Sequence, residues 1–233
     1  MRFSFFNSST AMKPALFLFD LDGTLVDTAP DLGGAVNDMR VARGLEPLPL
    51  ERLRAPAGHG GPELLKVAFR MDSSHPAFAE MRAEFLSRYA KRCTKSSILF
   101  PGVLELLTAL TAQGITCGVV TNKPHPLALR VVDALGIAPY LTLTLGTGAP
   151  GTALKPAPDS LLTALQTLQI PPARALYAGD SSSDALASAA AHLAFAWVSW
   201  GCQKEAPTTP APRFIARRSE DLLSWAQQTL AAQ

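Results

Sequence analysis

The chain has 233 residues, 48% of them hydrophobic and 17% charged, with a formal net charge of +2. That balance argues against nucleic acid or a membrane as partner, and the length allows one large domain or a domain carrying a smaller insert. The three cysteines, Cys93, Cys117 and Cys202, are odd in number and match no metal or redox spacing, so reduced, mostly buried thiols in a cytoplasmic protein are expected.

Residues 1–13 read as a flexible extension. Arg2 with Phe3, Phe5 and Phe6 resembles the start of a secretory leader, but Asn7-Ser8-Ser9-Thr10 interrupts it before an apolar core can form, and Met12 is a second candidate start. No stretch approaches the ~20 apolar residues of a membrane span. The first element is the run Ala15-Leu16-Phe17-Leu18-Phe19, which ends in Asp20-Leu21-Asp22-Gly23-Thr24-Leu25. A continuous apolar run of this kind is a buried parallel strand, and it delivers two carboxylates to the C-terminal edge where open α/β sheets place their ligands. Two acids so close together need positive charge nearby, and a divalent cation is the first candidate.

The pattern then turns helical. Pro30 and Asp31 open a helix carrying Leu32, Ala35, Val36 and Met39 on one face and ending by Gly44. A loop rich in Pro and Gly follows, including Ala57-Gly58-His59-Gly60-Gly61; further helices are expected from Pro62 through Phe69 and along Phe78, Met81, Phe85 and Tyr89. From Pro101 helices and strands alternate: helix Val103–Leu110, strand Ile115–Val120 ending at Thr121-Asn122, helix Leu127–Leu135 closed by Gly136, and strand Leu141–Leu145. Helix Leu161–Leu168, strand Ala175–Ala178 running into Gly179-Asp180, strand Ala194–Val198 and a closing helix Leu222–Leu230 complete the chain. The expected architecture is a Rossmann-like parallel sheet with helices on both faces (residues 1–27 and 98–233), interrupted by a small all-helical cap domain over residues 28–97.

Four strand or loop ends carry polar groups that can converge: Asp20/Asp22, Thr121-Asn122, Lys155-Pro156, and Asp180 with Asp184. The set suits phosphoryl transfer. A carboxylate approaching a phosphate dianion at ~4 Å meets roughly 8 kcal/mol of repulsion at an effective dielectric of 20, so cations are needed. A lysine and Mg²⁺, a hard ion that prefers oxygen ligands, supply them. Thr121 and Asn122 can donate to phosphate oxygens, and the N–H groups of Gly23 and Thr24 can form an anion nest.

Asp20 to Asp27 (Asp-x-Asp-Gly-Thr-Leu-x-Asp), Thr121-Asn122, Lys155-Pro156 and Gly179-Asp180-x-x-x-Asp184 resemble, in order, the four motifs of haloacid dehalogenase-like phosphatases. The resemblance implies a Mg²⁺-dependent phosphomonoesterase in which Asp20 is the nucleophile that becomes an aspartyl-phosphate, and Asp22 protonates the leaving alkoxide and then activates water. It further implies that Asp20, the Asp22 carbonyl and Asp180 hold Mg²⁺, that Thr121 and Lys155 bind the phosphoryl group, and that Asp184 supports the metal side. Leu25-Val26-Asp27-Thr28-Ala29-Pro30-Asp31-Leu32, Phe100-Pro101-Gly102-Val103 and Val119-Val120-Thr121-Asn122-Lys123 look like the phosphoglycolate phosphatase branch. Met39-Arg40-x-x-Arg43-Gly44-Leu45 and Glu84-Phe85-Leu86-x-x-Tyr89 are also similar to N-acetylmuramic acid 6-phosphate phosphatases. The implied partner is a small phosphorylated metabolite, and the implied assembly a monomer or homodimer.

Rival readings are a dehalogenase, against which Asp22 argues because no alkoxide then needs a proton, a phosphomutase, and a non-catalytic binder on the same fold. Several residues carry two readings: Asp27 as a helix cap or hinge against a chemical role, Asp184 as support for the site or a helix N-terminal charge, His59 as a substrate reader or an exposed loop residue. Arg54, Lys66 and Arg70 are substrate attractors or a solvated face, and His125 is expected in a loop. Two departures from the family pattern stand out: His192 falls where relatives carry a helix-ending glycine and would need a left-handed backbone, and Gly146 to Ala153 looks loose.

Overall fold

A computed structural model describes residues 16–231; the extension expected over residues 1–13, the candidate start at Met12 and the opening Ala15 of the first apolar run lie outside the described residues. The chain runs β1 (Leu16–Phe19), β2 (Val26–Asp27), α1 (Ala29–Val41), α2 (Leu50–Ala57), α3 (Gly61–Phe69), α4 (Phe78–Ala90) and β3 (Ile98–Leu99). It continues α5 (Val103–Ala112), β4 (Thr116–Pro124), α6 (His125–Ala134), β5 (Leu143–Thr147), α7 (Asp159–Leu168) and β6 (Ala175–Gly179). α8 (Ser182–Ala190), β7 (Ala194–Val198), β8 (Phe214–Ala216) and α9 (Ser219–Ala231) close it.

Six strands form one parallel sheet in the order β5-β4-β1-β6-β7-β8. β1 is central, with Phe17 opposite Cys117 on one side and Leu176 on the other. Alternation along β1 sorts the core into two layers. Phe17 and Phe19 pack with buried residues of α5, α6 and α9, while Leu16 and Leu18 pack with those of α7 and α8. The chain crosses to β4 and β5 on one side of β1 and later to β6, β7 and β8 on the other, so the C-terminal end of β1 is the switch point at which such sheets open a crevice.

The helices α1 to α4 pack on one another between β2 and β3, which pair antiparallel through Val26 with Leu99 and Asp27 with Ile98. Five elements depart from the sequence expectation. The region read as a Pro- and Gly-rich loop contains α2, held by burial of Leu53 and Ala57 despite Pro56 in its last turn. Gly33 of α1 permits this approach, since a Cβ there would meet Leu53 Cδ1 at 3.3 Å. β8 and the β2–β3 pair were not expected, being two or three residues long with no periodicity to read. His125 begins α6 rather than lying in a loop, with Pro126 in the first helical turn where a missing N–H costs nothing.

Both departures from the family pattern have a local solution. His192 adopts the anticipated left-handed backbone (φ 58°) and closes α8 itself. The segment 146–153 is tied internally by Ala149 N–H to Gly146 O (3.1 Å) and Thr152 Oγ1 to Ala149 O (2.6 Å). Gly146 is required there, because a Cβ would stand 2.5 Å from the Lys123 carbonyl. All three cysteines are free and buried, and no helix among the described residues is long and apolar enough to cross a membrane.

Candidate active site

The end of β1 carries Asp20, buried, with Oδ1 2.9 Å from Lys155 Nζ. Lys155 is itself buried and also pairs with Asp184 Oδ1 at 2.6 Å. Its ammonium further donates to the Tyr177 hydroxyl (2.8 Å), and that hydroxyl lies 2.8 Å from Asp184 Oδ1. Asp184 faces two ways: Oδ1 meets Lys155, while Oδ2 accepts the Ser181 N–H (3.0 Å) and completes a capping box at the start of α8.

Asp180, at the end of β6, is held by the Cys202 N–H on Oδ2 (2.6 Å). Oxygen atoms of Asp20, Asp180 and Asp184 lie within 4.8 Å of one another. Burial, then the charges of Asp20 and Asp184, push the Asp180 carboxyl well above the ordinary carboxylate range. Burial raises Asp20 as well, to about 6 against the pull of Lys155. Asp20 Oδ1 makes no well-angled hydrogen bond although it is fully buried. Three hard carboxylates with one lysine between them leave uncompensated negative charge, and the donor set fits a divalent cation such as Mg²⁺.

The glycine and threonine of the opening turn do not act as sequence reasoning expected. The Gly23 N–H bonds Val26 O (2.9 Å) and the Thr24 N–H bonds Leu21 O (3.3 Å), so neither is offered to an anion. Gly23 matters for space: at φ 84°, a Cβ would stand 2.2 Å from Asp180 Oδ2. Among the described residues, the N–H groups of Leu21 and Asp22 are the ones in this turn without an acceptor. Asn122 lines the cleft and has a further task. Its Nδ2 donates to Lys155 O (3.0 Å) and its Oδ1 accepts from Lys155 N (2.7 Å), a clamp that fixes the lysine backbone. Thr121 is buried at the cleft floor, its hydroxyl accepting the Lys123 N–H at 3.3 Å.

The Asp22 side chain turns away from the carboxylate cluster to Lys123, whose ammonium lies 2.8 and 3.1 Å from its two oxygens. Lys123 was not singled out from sequence. The available signal was strand alternation, which puts it on the same side of β4 as Thr121. Asp27 caps nothing: Thr28 holds the N-cap position of α1, and Asp27 makes two hydrogen bonds with Arg54 (2.8 and 2.9 Å). Arg54 is thereby occupied, Lys66 pairs with Glu63 (3.3 Å), and Arg70 ends α3 in the left-handed conformation.

Above this floor opens a cleft of about 480 Å³, walled by α4 through Arg82, Phe85 and Tyr89 and by the α2–α3 loop through His59. His59 Nε2 lies 3.1 Å from Gln203 Nε2, linking that loop to the segment after β7. Of the 28–97 cations without a carboxylate partner among the described residues, Arg82 alone lines the cleft.

Residues 17–198 match the family model described as haloacid dehalogenase-like hydrolase. An N-acetylmuramic acid 6-phosphate phosphatase of Pseudomonas aeruginosa is 38% identical over 173 residues, 74% of this chain and 76% of the relative. A phosphoglycolate phosphatase of Rhodobacter capsulatus is 36% identical over 196 residues, 83% and 87% of the two chains. Among solved structures, a predicted phosphoglycolate phosphatase from Haemophilus somnus superposes with a TM-score of 0.79 at 28% identity, covering 90% of this chain and 96% of the other.

Proposed function

The chain belongs to the haloacid dehalogenase-like hydrolases, and from that premise we propose that it is a Mg²⁺-dependent phosphomonoesterase working through an aspartyl-phosphate on Asp20. The observation that carries this reading is a buried Asp20 paired with Lys155 at 2.9 Å on the floor of a cleft, beside two unpaired backbone N–H groups. Asp20 attacks phosphorus, the P–O bond to the ester oxygen breaks, and Asp22 supplies the proton that oxygen takes. Asp22, now a carboxylate, accepts a proton from the water that attacks the aspartyl-phosphate, releasing inorganic phosphate and restoring Asp20. Lys155 and Thr121, with the N–H groups of Leu21 and Asp22, hold the phosphoryl oxygens and offset charge as it moves onto them. Bound Mg²⁺, held by Asp20, the Asp22 carbonyl and Asp180 with Asp184 in support, would lower the repulsion between Asp20 and the phosphate dianion.

Residues 28–97 act as a cap that selects the ester over the core formed by 1–27 and 98–233. A small phosphorylated metabolite bearing a carboxylate, as in phosphoglycolate, suits a cleft whose cap wall offers the unpaired Arg82. A second reading, N-acetylmuramic acid 6-phosphate, is favoured by the size of the cleft: about 480 Å³ leaves room for a sugar ring against Phe85 and Tyr89. The test is hydrolysis of a panel containing both esters, with and without Mg²⁺. Metal-dependent release of inorganic phosphate is expected, falling roughly 10³-fold or more in Asp20→Asn. An isomerised ester without phosphate release would mean a mutase, and turnover unchanged in the variant would sink the mechanism.

A further inference from the structure

Lys123 is 2% exposed at its side chain, and a buried ammonium must be paired. Its partners come from two other parts of the chain. Asp22, in the turn after β1, lies 2.8 Å away; the Tyr89 hydroxyl, in the last turn of α4, lies 2.6 Å away. The ammonium also sits 4.5 Å from the Tyr89 ring centroid. Tyr89 is locked in turn: it is buried and stacked on Phe85 with centroids 6.2 Å apart. The Asp22 side chain is 21% exposed toward the cleft and, among the described residues, has no hydrogen-bond partner other than Lys123.

We infer that Lys123 and Tyr89 are positioning residues that fix the direction of the Asp22 carboxyl, so that seating α4 over the sheet edge completes the proton donor. The inference rests on Asp22 being that donor. Asp22 alone has χ freedom in an open turn. Lys123 restrains it from β4, but a lysine carries four rotatable bonds, and the one directional bond that holds its ammonium from α4 is the Tyr89 hydroxyl. Removing that hydroxyl leaves the floor of the site intact and loosens the donor.

The test compares Asp22→Asn, Tyr89→Phe and Lys123→Met on two esters, p-nitrophenyl phosphate, whose leaving group departs without a proton, and an alkyl phosphate, whose alkoxide cannot. Leaving-group release is followed in the first turnover by rapid quench, so that hydrolysis of the intermediate does not enter. Tyr89→Phe is expected to slow the alkyl ester roughly tenfold, the size of one hydrogen bond to a charged group, and the aryl ester by less than about twofold, with KM unchanged. Lys123→Met is expected to show the same selectivity with a larger loss. Equal losses on both esters in Tyr89→Phe, or a rise in KM alone, would overturn the inference while leaving the Asp22 assignment standing. If Asp22→Asn itself fails to discriminate between the esters, the donor assignment falls and the inference falls with it.

Discussion

Replacing Asp180 by Asn should stabilise the metal-free protein and abolish its response to Mg²⁺. Asp180 is buried, and oxygen atoms of Asp20 and Asp184 lie within 4.8 Å of its own. At that separation each like-charge pair costs roughly 3 kcal/mol at an effective dielectric of 20, and Lys155 offsets about one of the neighbouring charges. The net relief is therefore about 3 kcal/mol, or about 6–12 °C in Tm for a chain of this size. Asn retains the oxygen that accepts the Cys202 N–H, so little packing is lost. Burial raises the Asp20 carboxyl to about 6 from an ordinary 3.8, and raises Asp180 as well. The folded form thus holds more protons than the unfolded chain above about pH 4, and metal-free stability falls as pH rises through that window. The gain in Asp180→Asn should accordingly be large at pH 7.5 and small near pH 3, below the ordinary carboxylate value of 3.8, where the acid is protonated in both states. Thermal melts in chelator and in excess Mg²⁺ at both pH values decide it. If the variant melts at or below the wild type in chelator, or keeps the wild-type Mg²⁺ shift, the reasoning is refuted.

Lys155→Met strands Asp20 and Asp184 without their shared cation, and should cost about 3–5 kcal/mol by denaturant titration in addition to activity. His192→Gly removes an exposed side chain held at φ 58° and should gain about 1 kcal/mol, raising Tm by about 2–4 °C; a drop would mean that the ring makes contacts of its own. Arg82→Ala should raise KM about tenfold for phosphoglycolate and leave KM for an ester lacking the carboxylate unchanged. Equal effects on both esters would exclude Arg82 as a reader of substrate charge.

Much of the fold was legible because its signals are local. The run ending at Phe19 is a buried central strand, and its apolar character on both faces was visible without knowing its neighbours. The helices after Asp159 and around Phe85 announce themselves by spacing. α2 did not: it is short, flanked by proline, and helical because Leu53 and Ala57 find α1. β2, β3 and β8 are too short to carry periodicity and exist through pairing with distant segments.

The same division runs through the site. Residue type and order along the chain were enough to single out Asp20, Asp22, Lys155 and Asp180, because strand ends in a parallel sheet converge on one edge whatever their exact register. What each polar atom touches depended on contacts between residues far apart in sequence. Asn122 grips the Lys155 backbone 33 residues away, and Lys123 reaches across 101 residues to Asp22 and 34 to Tyr89. Gly23 leaves room for Asp180 instead of donating to an anion. Sequence determined the chemical inventory and the edge on which it gathers. Tertiary structure decided which donors were already spent, because a hydrogen bond is a matter of ångströms and those distances exist only after the sheet and the helices over it have closed.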